Sequence, residues 1–252
     1  MMHLGHLTTD EARAFEGAVI LQPVGSVEPH GPHLPLSTDS IISEAAAARA
    51  LALLERRSIR ALIAPTIPYG VTDFAAGFAG AISLPGPVLT SFLRALVAAH
   101  LAGGASHVCL VNNHLEPAQD AAVRAAIADL PAGDASVACP LTRRWARTLS
   151  AEFKSGACHA GQYETSLVLA ARGALVHADA AKALAPVPIS LSDGIRAGKS
   201  TFREMGMDHA YSGAPAEATV EEGQALLDLL AEMIATEVTE ALAQKQQRGA
   251  PA

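Results

Sequence analysis

Short apolar runs alternate along the chain with longer helical patterns, and this alternation restricts the fold more than any other feature of the sequence. The apolar runs, which we interpret as strands, cover residues 18–24, 61–64, 108–111 and 135–139. The helical patterns cover roughly residues 41–56, 89–101, 117–130, 164–172 and 219–243. Strands that alternate with helices predict an α/β fold with a mostly parallel central sheet and helices on both faces. No linker interrupts the pattern, so residues 1–252 are predicted to form one domain.

The charge balance and the cysteines narrow the classes of function. The 252 residues carry a formal net charge of -7 and no basic run, which argues against nucleic acid and anionic membranes as partners. No apolar stretch approaches the roughly 18 residues of a membrane span. The three cysteines are Cys109, Cys139 and Cys158, and no two of them form a close C-x-x-C pair. This pattern does not fit a disulfide framework or a zinc knuckle, and it favours a reducing, cytoplasmic location.

The loop after the first predicted strand concentrates ionisable side chains. Glu28, His30, His33 and Asp39 lie where an α/β protein carries its site, beyond the carboxyl end of a strand. Glu28 and His30 are two residues apart, so in an extended segment their side chains point the same way. Asp39 or Ser40 is predicted to cap the following helix, and the loop can fold back to bring Asp39 to the same point. The alternative is a polar loop with a capping aspartate and no ligand function.

A second pair has the same spacing after the third predicted strand. His114 and Glu116 are again two residues apart, and on their own they fit a surface loop as well as a site. With the first loop they give five candidate ligands: Glu28, His30, Asp39, His114 and Glu116. Carboxylate and imidazole are ligands of divalent metals such as Zn and Mn. Five are too many for one closed tetrahedral zinc site but enough for two metal ions if one carboxylate bridges them.

A third cluster surrounds the start of the fourth predicted helix. His159 precedes the helix, and Glu164 lies on its first turn. A histidine held by a carboxylate is suited to proton transfer because its ordinary pKa is about 6.5. Glu164 could orient His159 or bind substrate. The alternative is structural, with Thr165 as the helix cap and Glu164 interacting with the helix dipole.

These motifs resemble those of the creatininase (creatinine amidohydrolase) family. The most specific one is E-P-H-G-P-H-L-P-L-S-T-D at residues 28–39, in which Pro29 stands where the family commonly has Gln. The resemblance continues through P-Y-G at 68–70, N-H-x-E at 113–116 and H-A-G-x-x-E-T-S at 159–166, and so spans nearly the whole chain. It implies a three-layer α/β/α domain that assembles into a homo-oligomer, often a hexamer.

The resemblance also implies a binuclear site that holds Zn and/or Mn, with Fe as a further candidate. By position, Glu28 and His114 resemble the ligands of one metal. His30 and Glu116 resemble the ligands of the other metal. Asp39 resembles the ligand that bridges the two ions.

The expected reaction is hydrolysis of the C–N bond of a small, cyclic amide by a metal-bridging hydroxide. His159 matches the family's proton-transferring histidine, and we expect Glu164 to hold it. Creatinine itself is an unlikely substrate because the tryptophans that close over it in creatininase have no counterpart near His159, and the only tryptophan here is Trp145. The roles of His33 and Cys158 stay open. The alternatives are an acyclic formamide deformylase or a peptidase on the same scaffold, a metal-dependent isomerase or lyase, and a silent metal-binding protein.

Overall fold

The central sheet has four parallel strands in the order β2-β1-β3-β4. The computed structural model describes residues 3–13 and 16–249. The strands are β1 (Val19–Val24), β2 (Ala61–Ile63), β3 (His107–Asn112) and β4 (Ala135–Ala138). The four apolar runs are therefore strands, as predicted, and the parallel arrangement is confirmed.

The five predicted helices are present, and several shorter ones accompany them. The helices are α1 (Thr9–Arg13), α2 (Thr38–Arg56), α3 (Gly86–Ala102), α4 (Pro117–Ile127), α5 (Arg143–Ala146), α6 (Ala151–Ser155), α7 (Gln162–Arg172), α8 (Ala178–Ala183), α9 (Leu191–Arg196), α10 (Phe202–Met205) and α11 (Val220–Gly249). The sequence missed α1, α5, α6 and α8 to α10, because elements of four to six residues are too short to show a helical period.

Several helix boundaries differ from the prediction, among them those of α2 and α11. Helix α2 begins at Thr38, so neither Asp39 nor Ser40 is its cap, and Asp39 lies in the first turn. Helix α11 continues to Gly249, beyond the predicted end at residue 243. No helix within residues 3–13 and 16–249 has both the length and the apolar character needed to cross a membrane.

Alternating strand residues supply two separate cores. Val19 and Leu21 of β1 pack in a cluster with residues of α2, α7 and α11 on one face of the sheet. Ile20 and Val24 pack in a second cluster with residues of α3 and α4 on the other face. Because successive side chains of a strand point to opposite faces, each strand serves both cores. The three-layer α/β/α arrangement is therefore confirmed.

The sheet order brings two of the predicted site loops together. Strands β1 and β3 are neighbours, and Val24 lies opposite Asn112 at their carboxyl ends. The chain then leaves β1 toward residues 25–37 and leaves β3 toward residues 113–116, side by side at one edge of the sheet. This is the point at which the strand order reverses, where open α/β sheets form their ligand crevice.

Helix α11 lies unusually close to α7 at one point. A Cβ atom built on Gly223 would lie 1.8 Å from the carbonyl oxygen of Ser166. The same contact holds the start of α11: the Ser166 hydroxyl donates to the Glu222 carboxylate and accepts from the backbone N–H of Thr219. The backbone N–H of Glu222 also donates to the Thr219 hydroxyl, at 3.1 Å.

We expect Gly223→Ala to destabilise the protein by ~1–3 kcal/mol, because overpacking against a backbone carbonyl outweighs the helix propensity that alanine adds. Urea unfolding measures the change. Gly249→Ala is the matched control, since it lies in the same helix and a Cβ there meets nothing within 4 Å. Equal unfolding midpoints for the two variants would show that α7 and α11 separate at little cost.

Candidate metal centre

Asp39 lies between two imidazoles at the carboxyl ends of β1 and β3. Its Oδ1 is 3.3 Å from His30 Nε2, and its Oδ2 is 3.1 Å from His114 Nδ1. The Ser26 hydroxyl donates to Oδ2 at 2.6 Å and fixes the carboxylate. All four side chains are buried. The two loops that the sheet brings together therefore converge on one carboxylate, as the sequence predicted.

Each imidazole is held by a backbone carbonyl on the side away from the carboxylates. His30 Nδ1 lies 3.0 Å from the oxygen of Glu28, and His114 Nε2 lies 2.6 Å from the oxygen of Val71. A carbonyl only accepts, so these nitrogens carry the hydrogen, and a neutral ring turns the lone pair of its other nitrogen toward Asp39. Metal-binding histidines have this arrangement, in which the second nitrogen donates to a carbonyl or carboxylate.

The ionisation of the cluster shows that it is arranged to hold positive charge. Burial alone would raise the pKa of the Asp39 carboxyl, but His30 and His114 outweigh burial and lower it. Burial would lower the pKa of His30, yet Asp39, Glu164 and Glu28 raise it to about 10. Burial also opposes the charged form of His114, and Glu28 and Asp39 still raise its pKa well above the ordinary value. A divalent cation held there would supply this positive charge without protonating the rings.

Three groups of the described side chains could each hold one ion: one consists of Glu28, His30 and His159, and the other two share Asp39. The ligand atoms of Glu28, Asp39 and His114 lie within 4.8 Å of one another, and so do those of His30, Asp39 and Glu164. His30 Nε2 and Asp39 Oδ1 are buried without a hydrogen-bond partner. Donors around an ion bound at about 2.0–2.2 Å lie roughly 3–3.5 Å apart, and the Asp39 oxygens lie 3.3 and 3.1 Å from His30 Nε2 and His114 Nδ1. The residues therefore fit a pair of divalent ions such as Zn or Mn.

The group of His30, Asp39 and Glu164 departs from the expected pairing of His30 with Glu116. Glu164 takes that place: it lies on the first turn of α7, its Oε2 is 3.6 Å from His30 Nε2, and the backbone N–H of Ala160 donates to it at 2.7 Å. Burial raises the pKa of Glu164 to about 8, although His30 opposes this. Among the described residues, Glu164 makes no hydrogen bond to His159, the residue it was expected to hold.

Glu116 lies at the wall of the same cavity. Its carboxylate accepts hydrogen bonds from the backbone N–H groups of Asp73 (3.1 Å) and Phe74 (3.2 Å), and burial raises its pKa to about 7 although the neighbouring His114 opposes this. Glu116 belongs to none of the ligand groups that the described residues form. Its role as a metal ligand stays a prediction.

His159 lies beside the cluster and contacts it through one nitrogen. Its Nε2 is 3.0 Å from the backbone oxygen of Pro29, and its Nδ1 faces Glu28 Oε1 at 3.8 Å. Its ring lies 4.3 Å from the ring of Phe202, centroid to centroid. Burial, reinforced by the nearby His30, lowers the pKa of His159 to about 4, so the imidazole is neutral.

His33 and Thr165 form a separate contact that fixes the first loop to α7. His33 Nε2 lies 2.9 Å from the hydroxyl of Thr165, and burial lowers the pKa of His33 to about 4. Thr165 is not the helix cap, because α7 begins at Gln162 with Gly161 before it. The structural alternative for this cluster was therefore wrong about the cap.

The metal centre opens into a cavity of about 340 Å³ with aromatic walls. Phe74, Phe153 and Phe202 line it, and Phe74 and Phe202 come from segments far from His159 in sequence. These aromatic walls were not predicted, because only residues near His159 were considered, and the expectation that creatinine is a poor substrate stays a prediction. Trp145 points elsewhere, and its indole N–H donates to Glu237 at 2.6 Å. Cys158 lines the cavity, and burial raises the pKa of its thiol.

Comparison with known proteins agrees with this site. Residues 5–238 match the model of the family described as creatinine amidohydrolase. The chain belongs to the creatininase family. A mycofactocin precursor peptide peptidase from Mycobacterium tuberculosis is 32% identical over 229 residues, which is 88% of this chain and 84% of the relative. A protein of the same name from Mycobacterium ulcerans is 32% identical over 221 residues, 85% and 81% of the two chains. A creatinine amidohydrolase from Pseudomonas putida is 31% identical over 121 residues, 45% of each chain.

Solved creatininase structures share the fold. A manganese creatininase is 22% identical, with a TM-score of 0.71 over 95% of this chain and 98% of that one. A variant of zinc–zinc type is 22% identical, with a TM-score of 0.70 over 94% and 97%. At this identity the likeness establishes the fold alone. The family match makes the chain a creatininase-family hydrolase with candidate metal-binding groups.

The two ligand groups that share Asp39 can be tested by measuring metal content. We expect the protein loaded with Mn or Zn to hold two ions per chain, Glu164→Gln to lower this toward one, and Glu116→Gln to leave it at two. Asp39→Ala should affect both ions because Asp39 belongs to both groups. Elemental analysis after desalting gives the counts. A count near one that Asp39→Ala does not change would rule out the shared carboxylate, and loss in Glu116→Gln alone would restore the pairing of Glu116 with His30.

Proposed function

We propose that this protein hydrolyses the C–N bond of a peptide-like amide with two divalent metal ions held by Glu28, His30, Asp39, His114 and Glu164. The observation that carries the proposal is the buried Asp39 carboxylate between two imidazoles that each donate their other N–H to the backbone. When bound, the ions supply Lewis acidity for the carbonyl oxygen and acidify water.

His159 is the proton carrier in this proposal. The carbonyl of Pro29 holds its Nε2–H, so Nδ1 is free to accept a proton beside Glu28 and to pass it to the departing nitrogen. Packing against Phe202 fixes the plane of the ring. Glu116 is a second group that can exchange a proton, because its carboxyl has a pKa near 7 and lines the cavity.

The size of the cavity and the relatives favour a peptide over a small ring. A cavity of about 340 Å³ is large enough for amino-acid side chains as well as the scissile amide, whereas a small cyclic amide would fill only part of it. The two relatives named for a peptide substrate match 85% or more of this chain, whereas the one named for creatinine matches 45%. A small cyclic amide, the expectation from sequence, is the second candidate.

We expect the metal-loaded enzyme to cleave N-acetylated apolar tripeptides with kcat/KM at least ~10-fold above that for creatinine, hydantoins or lactams, a difference of about 1.4 kcal/mol in transition-state binding. Mass spectrometry of the products measures both classes. Faster opening of a lactam would assign the cyclic amide instead. Release of formate from formamides without peptide cleavage would assign the deformylase.

We expect His159→Ala to retain both metal ions and to lower turnover by roughly 100- to 10,000-fold, the contribution typical of general acid–base catalysis. Elemental analysis and steady-state kinetics are measured on the same preparation. His209→Ala, at an exposed histidine, is the control. Loss of metal would make His159 a ligand, which its place within 4.8 Å of Glu28 and His30 allows. Full activity of His159→Ala would mean that His159 has a structural role only.

The homo-oligomer, with a hexamer as the expected form, stays a prediction. An observation that supports it is the exposed apolar pair on α3: Val88 is 54% and Phe92 is 49% exposed, and the two are one helical turn apart. Such pairs often mark surfaces that another subunit covers. The cytoplasmic location likewise stays a prediction.

A further inference from the structure

Three cationic side chains line the cavity of the metal centre. They are Arg143 on α5, Arg147 just after it, and Lys154 on α6. Within residues 3–13 and 16–249 they form no ion pair and no side-chain hydrogen bond. Their side chains are exposed, so solvent and ligand can reach them.

The neighbouring arginine shows that pairing is possible on the same short helix. Both nitrogens of the Arg144 guanidinium donate to the Glu240 carboxylate, at 2.7 and 2.8 Å, and the group stacks over Trp145. Arg144 thus belongs to the contact with α11, whereas Arg143 and Arg147 face the cavity. The direction of each side chain, and not the composition of the helix, separates the two roles.

The charge of the loaded site leaves these cations without a counter-charge. Four carboxylates line the cavity, those of Glu28, Asp39, Glu116 and Glu164. Two divalent ions would balance all four, since the histidines bind as neutral rings. The positive charge of the three basic residues would then be unbalanced, so the loaded cavity would attract an anion.

We propose that Arg143, Arg147 and Lys154 form a subsite that binds a free carboxylate of the substrate, so that the preferred substrates are amides or short peptides ending in an apolar residue with a free carboxyl group. This rests on the proposed function. Guanidinium groups bind carboxylates through paired hydrogen bonds. Leu141, Leu191 and Ile195 line the same cavity and would contact the apolar side chain.

The test is a binding measurement that does not depend on turnover. Isothermal titration calorimetry on the metal-loaded protein compares N-acetyl-leucine with N-acetyl-leucine amide, which differ only in the charge of the carboxyl end. We expect the acid to bind at least ~10-fold more tightly, which is the size of one or two charge-assisted hydrogen bonds at an exposed site. The ratio should shrink as NaCl rises from ~0.1 M to ~1 M, because the screening length falls from about 10 Å to about 3 Å.

Variants distinguish the subsite from direct binding of the acid to the metals. In R143Q/R147Q/K154Q the acid-to-amide ratio should fall to about one, whereas in Arg144→Gln it should equal that of the wild type. The singles Arg143→Gln and Arg147→Gln, each expected to lower the ratio in part, serve if the triple variant folds poorly. A ratio that the triple variant retains would assign acid binding to the metals and overturn the proposal, as would equal binding of acid and amide to the wild type. If no amide is cleaved, the proposed function fails while the binding ratio still decides the subsite.

Discussion

The burial of four carboxyl groups around two imidazoles is the constraint on which the rest of the site depends. Glu28, Asp39, Glu116 and Glu164 are each at most 6% exposed. Buried carboxylates are costly unless hydrogen bonds or opposite charge compensate them. Two hydroxyls and three backbone N–H groups donate to these carboxylates, yet Asp39 Oδ1 and His30 Nε2 stay without a hydrogen-bond partner. The proposed pair of divalent ions would complete the compensation and would tie the stability of this edge of the sheet to metal binding.

Backbone carbonyl groups hold the histidines of this site, and such groups are present whatever the side chain of the residue that carries them. The three imidazoles nearest Asp39 each donate to a main-chain carbonyl, those of Glu28, Val71 and Pro29. Pro29 replaces the glutamine common in the family, but its carbonyl still holds His159, because proline lacks only the backbone N–H. The pairing of β1 with β3 places the loops that carry His30 and His114 side by side, so the sheet brings these two histidines together.

Some of this was predictable from sequence. The strands and the convergence of Glu28, His30, Asp39 and His114 follow from apolar runs and from the position of the ligands beyond parallel strand ends, both of which are local signals. The position of Glu164 beside His30 was not predictable, since it depends on how α7 packs against the first loop, and Glu116 is held by backbone N–H groups of a loop distant in sequence. A helix as short as α5 shows no helical period in the sequence, so the direction of its side chains could not be predicted. The cations that line the cavity were therefore not predicted either.

A third apolar cluster connects the wall of the cavity to the ionisable groups. Ala75, Phe202 and Met205 pack together apart from the two cores of the sheet, with Phe74 against them. Phe74 offers its N–H to Glu116, and Phe202 packs on the ring of His159, so the packing that shapes the cavity wall also orients two proton-exchanging groups. Close-packed side chains transmit small displacements, so the positions of Glu116 and His159 depend on the packing of this wall.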